Sequence, residues 1–415
     1  MSKPFLTFSF LILLSCAVYA EKIDLEVYAS KFDSIPIGVI DFRSTNGQKI
    51  SEEEKQPWKI ITSDLDFCGK FTVTSLGEYD SAAFASASVG IFIDGEYTID
   101  GSQVTVNCYL RDAASKELII GKKYKGELKS IRTIAHRYSN EIVEILFGDR
   151  GIFLSRIVYV SASGNRKDIA LMDFDGHNRV TLTNNNVINI FPAFADASNI
   201  LWISYLRGKP DMYKGSIKDG SSKIHIYSKA ITTSPDVSPI DGTIAYGSSI
   251  KGNLDIYTCN PDGTNVRQLT VHYGVDTSPS WSPNGYQIAF TSDRSGTPQI
   301  YVMDADGANQ RRLTFESKYT DSPAWSPRGD KIAFQSMDNG KFDIWTIAPD
   351  GTGLTKVTDL GGNNEYPAWS PDGNLIAFVN TVGGSSDLYV VKPDGTRLRR
   401  VTSTGNVKMP DWSDF

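Results

Sequence analysis

The sequence predicts an α/β N-terminal domain followed by an all-β six-bladed β-propeller that is closed by its own C-terminal strand. Three observations carry this prediction. Prolines recur at Pro192, Pro235, Pro279, Pro323, Pro367 and Pro410, at steps of 43, 44, 44, 44 and 43 residues. Two positions after each stands Phe194, Val237, Trp281, Trp325, Trp369 or Trp412, so each unit sets one large or branched apolar residue at the same point. Residues up to about Arg150 lack this repeat and show helical spacings instead. A period of about 40 to 45 residues with four short strands per unit is the propeller signature, in which each blade buries its faces only against its neighbours.

The elements follow in chain order. Residues 1–20 carry Lys3, an apolar stretch from Phe5 to Leu14 and a small-residue ending at Val18, Tyr19 and Ala20, which reads as a secretory signal peptide too short to span a membrane. A second reading competes, because Leu13, Leu14, Ser15 and Cys16 resemble a lipoprotein box whose cysteine would carry lipid. No later segment is long and apolar enough to be a membrane span.

Residues 21–150 form the predicted α/β domain. Ile35 to Phe42 reads as a buried strand, and Ser51 with Glu54 forms a capping-box pattern ahead of Trp58, Ile61 and Leu65. Lys70 to Ser75 is a second strand; Val104 to Leu110 and Glu117 to Tyr124 pair as a hairpin through Asp112 to Ser115. Ile131, Ile134, Ala135, Tyr138, Ile142, Ile145 and Leu146 mark one face of a second helix that Gly148 ends. The linker from Gly148 to Gly151 is short enough to predict that the two domains touch.

Residues 151–415 form the predicted propeller. Each unit runs from a strand such as Gln287 to Phe290, through a second such as Gln299 to Met303, to an Asp-Gly turn and Leu-Thr. The pairs beginning at Asp262, Asp306, Asp350 and Asp394 place glycine where a tight turn needs positive φ, so these aspartates are turn residues and not catalytic acids. The series opens with Ile157 to Val160 and ends with Pro410 to Phe415, so each terminus holds what the other lacks. The ring is therefore expected to close when Pro410 to Ser413 complete the blade begun at Ile157, which removes the exposed edges.

Composition narrows the function. At 415 residues the chain exceeds the size at which one core keeps growing, and 35 glycines with 19 tyrosines suit many short strands joined by turns. A formal net charge of −6 argues against nucleic acid as the main partner. Cys68, Cys108 and Cys259 remain after Ala20, an odd number. Cys68 and Cys108 could pair in an oxidising compartment, but the alternation Val104, Val106, Cys108, Leu110 favours a buried thiol.

No catalytic or metal site emerges. His136, His177, His225 and His272 are scattered with no pair at ligand spacing, and the chain has no Gly-x-Ser-x-Gly elbow, phosphate loop or dinucleotide fingerprint. His136 beside an apolar helix stripe reads as a structural histidine, and the repeated tryptophans read as blade packing. No cofactor is expected. The loops before the tryptophans are the candidate site: Asp276, Thr277, Tyr319, Thr320, Asp321, Asn364, Glu365 and Tyr366 are expected to open at one rim near the central channel. Rival readings are a glycan-binding propeller using Tyr319 and Tyr366, or a propeller hydrolase.

The run Phe32, Asp33, Ser34, Ile35, Pro36, Ile37, Gly38, Val39, Ile40, with Ala135, His136, Gly148, Gly151 and Phe153, resembles the TolB family of the Tol-Pal system of Gram-negative envelopes. Ser139 and Asn140 lie where an acidic residue is common in that family, and Asp196 replaces the usual proline of the repeat. The resemblance implies a monomeric periplasmic protein without catalysis, serving outer-membrane integrity and division. It also implies that the rim binds Pal, a peptidoglycan-associated lipoprotein, and that Glu21, Lys22, Ile23, Asp24, Leu25, Glu26 and Val27 contact TolA or fold back on the protein's own body. Other envelope proteins are possible further partners.

Overall fold

A computed structural model describes residues 34–52, 55–77, 88–227 and 230–413. The expected signal segment, Cys16, the segment Glu21–Val27, Phe32, Asp33 and Glu54 lie outside the described residues.

The N-terminal domain is a mixed sheet with two helices packed on it. Its strands are β1 (Ile35–Ile40), β2 (Arg43–Ser44), β3 (Phe71–Gly77), β4 (Ile91–Asp100), β5 (Gln103–Asp112) and β6 (Leu118–Glu127). They lie in the order β3-β1-β4-β5-β6, with β2 beside β4. β1 runs parallel to both its neighbours, and β4, β5 and β6 form an antiparallel meander. Central β1 buries Ile37 and Val39, which share one face, completely in the domain core.

Helix α1 (Pro57–Phe67) starts later than the capping-box pattern predicts. Its N-cap is Gln56, no side chain caps it, and Pro57 begins the first turn, where its missing N–H leaves nothing unsatisfied. Helix α2 (Ile131–Phe147) ends as predicted at Gly148, whose φ of 70° lets its N–H donate to Glu144 O at 2.8 Å. Ile142 is fully buried, but Ile145, expected on the same face, is exposed; the last turn packs instead through Phe147, whose ring meets Phe71 of β3 edge-on at 5.4 Å.

The rest is a ring of six four-stranded sheets. In the blade used as reference the strands are Asp276–Trp281, Gln287–Ser292, Gln299–Asp304 and Arg311–Arg312, from channel to outside. The first blade, built from Arg156–Ser163, Arg166–Asp173 and Val180–Thr181, takes its innermost strand from Val407–Trp412. Trp412 pairs with Ile157 and Val407 with Ser161. Arg156 N donates to Ser413 Oγ at 2.8 Å, and Trp412 Nε1 to Ser155 Oγ at 2.8 Å. The blade from Asn189 to Ile226, whose sequence departs from the repeat, still forms four strands, with Asp196 accepting from Ser198 N at 2.9 Å where other blades place Ser-Pro.

Each innermost strand carries a bulge at its proline. The preceding residue, Phe191, Ser234, Ser278, Ser322, Tyr366 or Met409, has φ between 47° and 57°. In the reference blade the register shifts between Thr277 and Ser280. Extended backbone is the norm before proline and αL is costly for any residue with a Cβ, so strain is repeated six-fold around the channel.

The two domains share one continuous core. Phe67 of α1 meets Phe174 of the first blade edge-on at 4.9 Å between ring centroids, and Phe153 lies 5.5 Å from the same ring. Lys392 Nζ donates to Gly69 O at 2.9 Å, and Arg397 and Arg399 face Asp66 at 3.6 and 3.5 Å. These contacts fall on the turns between third and fourth strands of the first and last blades, so they mark one end of the channel. Cys68, Cys108 and Cys259 are all buried free thiols.

Candidate functional site

The innermost strands repeat one burial pattern. Asn189, Thr232, Asp276, Thr320, Asn364 and Val407 are buried, and the next residue in each strand is half-buried: Ile190, Thr233, Thr277, Asp321, Glu365 and Lys408. That second set forms a ring at the end of the channel opposite the N-terminal domain, where the hairpins between second and third strands also lie. The bulge follows immediately, and its positive-φ residues with the prolines line the channel toward the other end.

Charge in the ring is concentrated on three consecutive blades. Burial raises the carboxyl of Asp321 above its usual range, against the bonds it accepts from Thr291 Oγ1 at 2.8 Å and Ser322 N at 2.7 Å. Burial likewise raises Glu365; Lys408 opposes this and the neighbouring Asp321 adds to it. The Tyr366 hydroxyl is pushed up to about 12, by burial first and by Glu365 next. Carboxylates held toward neutrality in a half-closed ring gain from an arriving cation or hydrogen-bond donor, which is a recognition property and supplies no reaction.

The residues expected at the rim divide into two groups, with Tyr319 apart from both. Asp276, Thr320 and Asn364 are strand residues with structural partners, not loop residues open to solvent. Asp276 pairs with Arg294 at 2.7 Å, Thr320 Oγ1 accepts from Ile300 N at 3.1 Å, and Asn364 Nδ2 donates to Asp343 Oδ1 at 2.8 Å. Thr277, Asp321, Glu365 and Tyr366 are half-buried on the channel side of the same strands. Tyr319 precedes its strand and packs edge-on against Phe342 at 5.5 Å. Ile190, Thr233 and Lys408 belong to the same ring and escaped the sequence reading. The signal was present, since all six residues stand two positions before a repeated proline.

The four tryptophans are at most 9% exposed and serve blade packing. His136 is buried on α2, its Nδ1 2.9 Å from Asp64 Oδ2 on α1. Beside it Arg132 pairs with Asp175 of the first blade, so the cluster ties both helices to the propeller. Among the described residues no group of three or more His, Cys, Asp or Glu could hold a metal ion, and no helix is long and apolar enough to cross a membrane.

Comparison with known proteins places this geometry. The profile of the TolB beta propeller domain matches residues 143–415. A TolB homolog of Chlorobaculum tepidum is 37% identical over 56% of this chain and 55% of its own length. A Tol-Pal system protein TolB of Desulfosudis oleivorans is 32% identical over 66% of each. The chain thus spans about half to two thirds of the length of these curated relatives. The crystal structure of TolB from Acinetobacter baumannii superposes with a TM-score of 0.79 at 24% identity, covering 91% of this chain and 96% of that one, which supports the fold.

Proposed function

The chain belongs to the TolB β-propeller family, and on that premise we propose that it is a non-enzymatic periplasmic scaffold of a Tol-Pal envelope system that binds the Pal lipoprotein at the channel rim. The observation that carries this is the ring itself. Thr233, Thr277, Asp321, Glu365 and Lys408 converge at the end of the channel away from the N-terminal domain, with two carboxylates whose protonation is biased by burial. A polar, concave rim on a strained and closed scaffold suits docking of a preformed protein surface.

In this reading the segment Glu21–Val27 contacts TolA or folds back on the protein's own body. Its alternation of Ile23, Leu25 and Val27 with polar residues suits addition to the edge of a sheet. Pal docking would shift that segment between two states, which requires that each state make different contacts. Isothermal calorimetry of the mature protein against the soluble domain of its Pal homologue tests the rim. Saturable binding weakened about tenfold or more by Asp321→Ala and by Glu365→Ala supports it. No heat with folded samples, or binding untouched by either change, refutes it.

A further inference from the structure

The blade repeat contains a second recognition element, visible by comparing two neighbouring blades at a shift of 44 residues. In the reference blade Phe290 and Tyr301 face each other across adjacent strands, 5.8 Å between ring centroids. Arg294, on the hairpin that joins those strands, folds back over both rings, 5.4 and 5.0 Å from their centroids. It is held by Asp276 Oδ2 at 2.7 Å, Ser292 Oγ at 2.8 Å and Gln310 Oε1 at 2.5 Å. The chain thereby seats its own guanidinium in an aromatic socket.

In the next blade the same place is a pocket of about 660 Å³. The rings are there as Phe334 and Trp345, paired in the same register, and indole is a stronger platform for a cation than phenol. Ser336 repeats Ser292. The hairpin carries exposed Asp338 where the other blade has Arg294, so the internal cation is replaced by a carboxylate. Glu316 adds a second carboxylate to the lining against one ammonium, Lys318, while Thr320 and Leu354 stand where Asp276 and Gln310 hold the arginine.

We propose that this pocket receives the guanidinium of an arginine side chain presented by an extended segment of a protein partner, in the position that Arg294 occupies within its own blade. Reaching over the hairpin, the arriving arginine stacks on Phe334 and Trp345 and meets Asp338 and Glu316 at the mouth. The pocket opens on the same end of the propeller as the ring, but the proposal does not depend on what the ring binds.

The test uses the mature chain and two small probes, N-acetyl-arginine amide and its uncharged counterpart N-acetyl-citrulline amide, with calorimetry or ligand-observed NMR as the readout. The arginine probe is expected to bind saturably in the millimolar range and at least tenfold tighter than the citrulline probe. Asp338→Arg, which restores the internal cation on an exposed hairpin, is expected to abolish binding without lowering the melting temperature. A pentapeptide with arginine between glycines should bind at least as well as the amide. Equal binding of the two probes, undiminished binding to D338R, absence of saturable binding, or exclusion of the pentapeptide would each overturn the proposal.

Discussion

Asp175 shows how single side chains join the two domains. Burial would raise its carboxyl, but the bond from His177 and the charge of Arg132 win, and the pKa falls to about 2. A carboxyl depressed on folding contributes stability that is complete above its unfolded value, near 3.8, and is lost as pH falls through the folded one. The contribution is of order 2 kcal/mol at neutral pH, from the size of the shift. Asp175→Asn is therefore expected to flatten the loss of stability between pH 4 and 2 measured by urea titration; an acid limb as steep as wild type would show that the pair does not couple to folding. The cysteines give a second check. Burial pushes the thiols of Cys68 and Cys259 up to about 12 and raises Cys108 as well. Ellman's reagent should leave all three untouched in the native protein and titrate them in denaturant. The structural reading of His136 followed from its place beside an apolar stripe, whereas its partners Asp64 and Asp175 were not legible, because no local pattern ties residues 72 and 39 positions away.

The blade strands were legible because proline, tryptophan and Asp-Gly return at a fixed period, and a period reports a repeated environment. The bulge was not. Ser-Pro reads as extended backbone, yet Ser278 has φ 51° because the two bulged residues, Ser278 and Pro279, face the channel while Thr277 still pairs with Thr291 and Ser280 with Ala289. Ser278→Gly is expected to stay within about 0.5 kcal/mol of wild type in urea unfolding, as relief of αL strain offsets added chain entropy. Ser278→Val should cost about 1–2 kcal/mol, since a β-branched residue tolerates αL least; equal stabilities would contradict the strain. Strand β4 was missed although buried Ile93, Tyr97 and Ile99 alternate with Asp94, Glu96 and Thr98, because Gly95 interrupts the pattern; there a Cβ would meet the Phe42 ring at 2.5 Å. The start of α1 was misplaced because Pro57 at its first turn does the work expected of Ser51.

At the scale of the whole molecule the propeller has two unlike ends. One is welded to the N-terminal domain through Phe174, Asp175, Lys392 and Arg399; the other presents the ring and the pocket beside Trp345. Closure of the ring by Val407–Trp412 keeps both ends in register, so deletion of residues 410–415 should lower the melting temperature sharply, by removing Trp412 from the core and exposing the edge at Ile157. An unchanged melt would contradict that closure. The ring's membership was legible only as a position, two residues before each repeated proline; residue type gave no signal for it, because Ile190, Thr233 and Lys408 share that place and no chemistry. Site-specific photocrosslinking to the soluble Pal domain discriminates between the two ends of the propeller as the docking face. With benzoylphenylalanine at Thr277, on the ring, or at Asp306, an exposed turn at the opposite end, docking at the ring is expected to give an adduct from position 277 and none from position 306. The reverse pattern would place the partner on the wrong face and contradict it.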